Sequence, residues 1–197
     1  MDFFSVLSHY EAMIVAQAPD FERQYAPNMR PGFGHDILFP SIFTEPALLA
    51  AAILLSTGHL IATRRVPRLH QDAYDALRLQ QYVYNDINTA LRYPERATSD
   101  QSIAAVLLLA TYEALHGQMD LYHLHMTGLV QMVNARGGLS GLGMNGYLEL
   151  FILWQDGNFA NAIGGCGYSH LAQSPSTLPK ARADNSMFLL RPAEDDA

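Results

Sequence analysis

Two stretches constrain this chain more than anything else in it: "PALLAAAILLSTGHLIA" and "SIAAVLLLATYEAL". Neither alternates apolar with polar residues, and both exceed ordinary strand length, so both read as helices, roughly over residues 47–62 and 103–115. Ala and Leu surround each axis instead of forming one stripe, and a helix that is apolar all round has to be covered on every side. The first stretch is short for a membrane span and is interrupted by Ser56, Thr57, Gly58 and His59, so it reads as a buried helix. Whatever else the chain does, it has to wrap these two helices.

The remaining pattern supplies candidates for the wrapping. Residues 3–16 place Phe3, Val6, Leu7, Tyr10, Met13 and Ile14 on one side of a first helix. Residues 19–43 contain Pro19, Pro27, Pro31 and Pro40, and are expected to be an irregular crossing. Pro46 suits the first turn of the central helix, and Pro67 opens an amphipathic helix that lasts until Pro94. That helix carries Leu69, Ala73, Ala76, Leu77, Gln80, Tyr84, Ile87 and Leu91 at spacings suited to a buried face. Thr98 or Ser99 can cap the second apolar helix. Leu121, Leu124, His125, Gly128, Leu129, Met132 and Val133 mark the next helix, with Arg136 in its last turn and Gly137 as its stop. Tyr147, Leu148, Phe151, Ile152, Phe159 and Ile163 mark the last.

No stretch alternates and no repeat is visible. The expectation is an all-α, irregular helical domain of about five helices over residues 1–163, followed by an irregular or disordered tail over 164–197. Only three helices then remain to cover the two central ones. A substantial apolar patch should be left over, formed partly by Phe151, Trp154 and Phe159, and should drive self-association or binding to a protein partner.

Charge and cysteine content narrow the function classes. The net charge is −7, with a single Lys, Lys180, and no basic block, so the chain lacks the electrostatic footprint of direct nucleic-acid binding. Cys166 is the only cysteine, which excludes an internal disulfide framework and a cysteine-based zinc site within one copy. The N-terminus lacks the basic start and small-residue cleavage site of a secretory signal, so the chain is expected to be neither secreted nor membrane-bound.

"GLGMNG", residues 141–146, spells G-x-G-x-x-G, the spacing with which dinucleotide-binding folds bring backbone close to a pyrophosphate. That motif needs a strand before it, and here a helix precedes it. Gly137 and Gly138 end one helix, while Gly141, Gly143 and Gly146 permit a tight turn into the next, so no cofactor is expected. "GLSGL" misses the final glycine of a nucleophile elbow, and its strand as well. His123 and His125 are two apart on a helix and face different ways, and no H-x-x-x-H occurs, so neither a metal nor a catalytic residue is assigned. Asp156, two residues after the only Trp, Trp154, sits in an apolar helix. It reads as a solvent-facing, capping or paired acid before it reads as a ligand contact.

Taken together, these motifs resemble the fungal-specific transcription factor domain, the helical regulatory region that follows a zinc binuclear cluster in many fungal regulators. The likeness begins at "LFPSIFTEPALLAAAILLSTGHLIA", continues through "SDQSIAAVLLLATYEALHG" and is strongest at "HMTGLVQMVNARGGLSGLGMNGYLELFILWQD". In the last segment His125, Gly128 and Leu129 match an H-x-x-G-L helix. Arg136, Gly137, Gly138 and Leu139 match an R-G-G-L stop, and Trp154 and Asp156 match a W-x-D element. Coverage is roughly residues 37–163. The resemblance implies a nuclear, non-enzymatic, regulator-like domain acting through protein contacts or a small-molecule effector pocket. His125, Arg136, Gly137, Gly138, Trp154 and Asp156 are its candidate regulatory or structural residues. The six-cysteine cluster is missing, so DNA binding does not carry over, and the chain resembles a shortened member of the family. An interaction remnant of such a factor is the alternative, and a helical enzyme the least supported reading.

Overall fold

The computed structural model describes residues 3–63, 70–162 and 167–168. Among them the chain is all helix, with no strand, in the order α1 (Phe3–Tyr25), α2 (Phe33–Ser41), α3 (Pro46–Thr63), α4 (His70–Ala90), α5 (Pro94–Ala97), α6 (Asp100–Leu115), α7 (Met119–Ala135) and α8 (Tyr147–Ala162). Two short 3-10 turns, Leu139–Gly141 and Met144–Gly146, join α7 to α8. The described helices outnumber the five expected; the additions include α2, inside the proline-rich crossing, and the one-turn α5. Pro67 and most of the 164–197 tail lie outside the described residues.

The two all-round apolar helices are central. Helix α3 packs on α1, α4 and α6, and α6 packs on α3, α4, α7 and α8. Leu48, Ala51, Leu54, Ile103, Leu107, Leu108 and Leu109 are buried there. Although α3 is long and apolar enough by length and composition to cross a membrane, most of it is enclosed by its neighbours. Ser99 provides the N-cap of α6, its Oγ accepting the Ser102 N–H at 3.2 Å.

The crossing segment departs most from expectation. Helix α1 does not stop at residue 16 but runs through Pro19 to Tyr25, and α2 occupies the second half of the segment. An interior proline removes one backbone donor and costs about 3 kcal/mol. Beyond it, however, Phe21 and Tyr25 are buried, with Phe21 edge-on to Trp154 at 5.5 Å and tilted against Tyr147 at 5.3 Å. Burial of such side chains contributes roughly 1.5–3 kcal/mol each and offsets the proline.

This same extension overturns the expected site of exposed apolar surface. Phe151, Trp154 and Phe159 are buried, the first two beside α1 and the third against Tyr122 at 5.2 Å. The apolar side chains that do face outward include Tyr74, Leu77 and Tyr82 on α4 and Leu124 on α7. Spacing alone puts Leu77 and Leu124 on inner faces, and the structure places neither there. On α4 the buried line is Ala76, Val83, Ile87 and Ala90, and Leu77 lies one residue, hence about 100°, off it.

Candidate functional site

The glycine-rich turn is held by Arg136 and Asp100. Arg136, at the C-cap of α7, donates from Nη1 to the Thr98 carbonyl at 2.8 Å and from Nη2 to the Gly141 carbonyl at 3.1 Å. The same Nη2 lies 3.1 Å from Asp100 Oδ1, which also accepts the Gly143 N–H at 3.2 Å. The cation therefore satisfies carbonyls of other segments rather than those of its own helix end. Gly137 and Gly138 adopt φ +90° and +94°, where a side chain is strained. Gly141 and Gly143 are required by contact: a Cβ on the first would strike the Arg136 carbonyl, and one on the second the Asp100 carboxylate. The N–H that a phosphate would use at Gly143 is taken by the chain's own acid, so the G-x-G-x-x-G stretch is a packing turn.

His125 faces a buried polar cluster that the sequence did not reveal. Its ring stacks on Tyr84 with centroids 5.5 Å apart. The Tyr84 hydroxyl donates to Glu113 Oε1 at 2.7 Å, and Gln80 Nε2 donates to the same oxygen at 2.6 Å. Glu113, on the inner face of α6, is 1% exposed, and its Oε2 has no hydrogen-bond partner; nor has His125 Nε2. Burial lowers the His125 pKa, partly opposed by the nearby Glu113 charge. Gln80 and Tyr84 sit at helical spacing on α4, but Glu113 inside an apolar helix carried no sign of its partners.

Trp154 and Asp156 point to different neighbourhoods. Asp156 is buried and accepts the Tyr168 N–H at 2.8 Å, while the Tyr168 hydroxyl donates to the His123 carbonyl at 3.0 Å. The acid thus ties Tyr168 back onto the bundle. Trp154 instead lines a crevice among α1, α2 and α8, floored by Leu55 of α3 and Leu108 of α6. The crevice has about 40 Å³ of room for water-sized occupants, and about 500 Å³ counted out to its open mouth. Its wall is aromatic, from Phe21, Tyr147, Phe151 and Trp154, and no Asp, Glu, Lys or Arg lines it.

Two buried polar atoms on the lining residues lack partners: the Tyr10 hydroxyl and Gln155 Oε1. Both residues are 2% exposed. The Gln155 amide is oriented by Thr111, whose hydroxyl donates to the Leu107 carbonyl and so can only accept from Gln155 Nε2, at 3.2 Å. Burial pushes the Tyr10 hydroxyl far above the ordinary phenol range, which keeps it a neutral donor. Neither residue stood out in the sequence. Tyr10 was one of many aromatics on a helix face, and Gln155 was the residue between Trp154 and Asp156. Among the described residues no group of three His, Cys, Asp or Glu is gathered to hold a metal.

The six residues singled out from the sequence therefore form no single site. Arg136, Gly137 and Gly138 build the turn, His125 joins the Glu113 cluster, Asp156 anchors Tyr168, and Trp154 alone reaches the crevice. Residues 8–159 match the family model of the fungal-specific transcription factor domain. The chain belongs to that family. The matched span covers most of α1, all of α2 to α7 and nearly all of α8, and it contains every residue lining the crevice. No match was found among curated proteins or among solved structures.

Proposed function

We propose that this fungal-specific transcription factor domain is a non-enzymatic regulatory module. It works in the nucleus through protein contacts, including contacts with a second copy, or through a small-molecule effector, and this helical domain makes no DNA contact itself. The observation that carries the reading is the family match, which extends over the helical core and not over one motif. The acidic balance, with net charge −7 and one lysine, agrees with a domain that leaves phosphate contacts to another chain or segment.

Fusing the chain to an unrelated DNA-binding domain and measuring a reporter tests this directly. The fusion is expected to raise or lower transcription relative to the DNA-binding domain alone, and a fluorescent fusion is expected to accumulate in the nucleus. The isolated chain is expected to give no footprint at a defined duplex sequence at physiological salt. A reporter indifferent to the fusion would remove the regulatory reading, and a salt-resistant footprint would restore direct DNA binding.

A further inference from the structure

We infer that the outward face of α4 is a docking surface for a segment of this same chain, the apolar residues 187–190 with the acids Glu194, Asp195 and Asp196 that follow them. This goes beyond the proposed function and holds whether or not the domain regulates transcription. Single exposed apolar side chains are ordinary, but several on one helix face make a patch. Tyr74, Leu77 and Tyr82 are 56%, 63% and 47% exposed. At about 100° per residue they fall, with Arg78, on one side of α4, opposite the buried line of Ala76, Val83, Ile87 and Ala90. Arg23, Arg30, Arg96 and Arg136 each pair with a carboxylate, whereas the Arg78 guanidinium lies over the Tyr74 ring, 5.6 Å from its centroid. The face thus offers two phenol rings, a leucine and a cation, and tyrosine and arginine are among the side chains that most often anchor protein contacts.

The occupant follows from where the described residues end and from the sequence beyond them. Tyr168 is held on α7, its hydroxyl donating to the His123 carbonyl at 3.0 Å, and two residues further along α7 His125 stacks on Tyr84 of α4. Leu77 lies two turns before Tyr84 on the same side of α4. Beyond Tyr168, "SMFLLRPAEDDA" places Met187, Phe188, Leu189 and Leu190 ahead of three acids, with Arg191 between. The apolar run suits Tyr74, Leu77 and Tyr82, and the acids suit Arg78. Residues 169–186 span up to roughly 60 Å when extended, and a domain of this size is about 40 Å across, so the segment reaches α4 within one molecule. Tethering raises its effective concentration to about the millimolar range, so a contact too weak to form between separate molecules is populated within one. The crevice among α1, α2 and α8 is the competing seat for the apolar run, but no Lys or Arg lines it to meet the acids. Docked on α4, the segment competes with any other protein for that face.

The test places a nitroxide spin label on the full chain through Ala193→Cys, with Cys166→Ser removing the natural thiol. The backbone amide signals of Tyr74, Leu77, Arg78 and Tyr82 are expected to be lost to paramagnetic broadening and to return when the label is reduced. Those of Ala18 and Gly34, in the crevice wall, should keep more of their intensity. Leu77→Asp, at an exposed position, should restore the lost signals, and the pair Leu189→Asp and Leu190→Asp, which alters no described helix, should do the same. Arg78→Glu should lower the docked population about two- to fivefold, as loss of an exposed charge pair does, and Glu194→Arg with Asp195→Arg in the same chain should bring it back. Melting curves confirm that each variant is folded. Absence of broadening on α4, broadening centred on Ala18 and Gly34, or broadening unchanged by both the Leu77 and the Leu189 and Leu190 variants would overturn the inference. So would broadening of an unlabelled, isotope-enriched chain mixed with a nitroxide-carrying one, which would assign the contact to two copies. Failure here leaves the reporter result untouched, whereas an indifferent reporter with intact broadening removes the regulator and keeps the docking face.

Discussion

Gly137 and Gly143 lie in the same turn region and resist substitution for different reasons. A Cβ at Gly137 would meet open space, so a Gly137→Val change is penalised only by its φ of +90°. At Gly143 φ is −93°, and the obstacle a Cβ meets is the Asp100 carboxylate, held in place by Arg136. Both Gly137→Val and Gly143→Ala are expected to destabilise the domain by about 1–3 kcal/mol. Asp100→Ala should rescue the second and not the first, as urea midpoints of the single and double variants will measure. His125 gives a pH dependence of known sign. Burial lowers its pKa and that of His59, so the unfolded chain takes up protons at a higher pH than the folded one. Their stabilising effect is fully present above the ordinary histidine range, near 6.5, and is lost as pH falls through it toward the folded-state values. The urea midpoint is expected to fall between about pH 7.5 and 5.5. His125→Phe, which keeps a ring against Tyr84, should reduce that slope.

Among the elements, α1 is the one whose role exceeds what its composition announces. Its first half reads as an ordinary amphipathic helix. Its second half, past Pro19, closes the aromatic cluster of Tyr147, Phe151 and Trp154. Phe21→Ala is therefore expected to cost about 3–5 kcal/mol, comparable to a deletion in the deepest core. Phe4→Ala on the same helix, where the ring is exposed, should stay within about 0.5 kcal/mol. Thermal denaturation of the two variants separates a helix that is packed along its length from one that is merely appended. If the two changes cost the same, α1 does not close the core as described.

At the scale of the whole molecule, the question is how two largely apolar helices are covered by so few others. The answer lies in chain economy: α1, α4, α7 and α8 each contribute one face to the central pair, and the crossing segment, as the end of α1 and as α2, packs on α8 in turn. A chain lacking residues 1–25 should consequently expose Phe151 and Trp154. It is expected to bind a hydrophobic dye several-fold more strongly than the intact chain and to self-associate at micromolar concentration. Sedimentation of both forms measures this. Equal dye binding would mean that the cluster is covered without α1.

Periodicity and composition made the class legible. All-round Ala and Leu at two places dictates central helices, and glycines after Arg136 dictate a stop, because both effects act within a few residues of the chain. The resemblance to the regulator family was legible in the same way, from motifs in order. Local rules misjudged Pro19, since the cost of an interior proline is local while the burial that offsets it comes from α8, far along the chain. They also missed Tyr10, Gln155, Glu113 and Asp100, whose side chains carry no distinctive spacing. Whether a hydroxyl is left unpaired, or an acid meets a glycine N–H, depends on which helices meet and at what depth. That is decided by tertiary packing, where desolvation and close contact join residues that the sequence keeps apart.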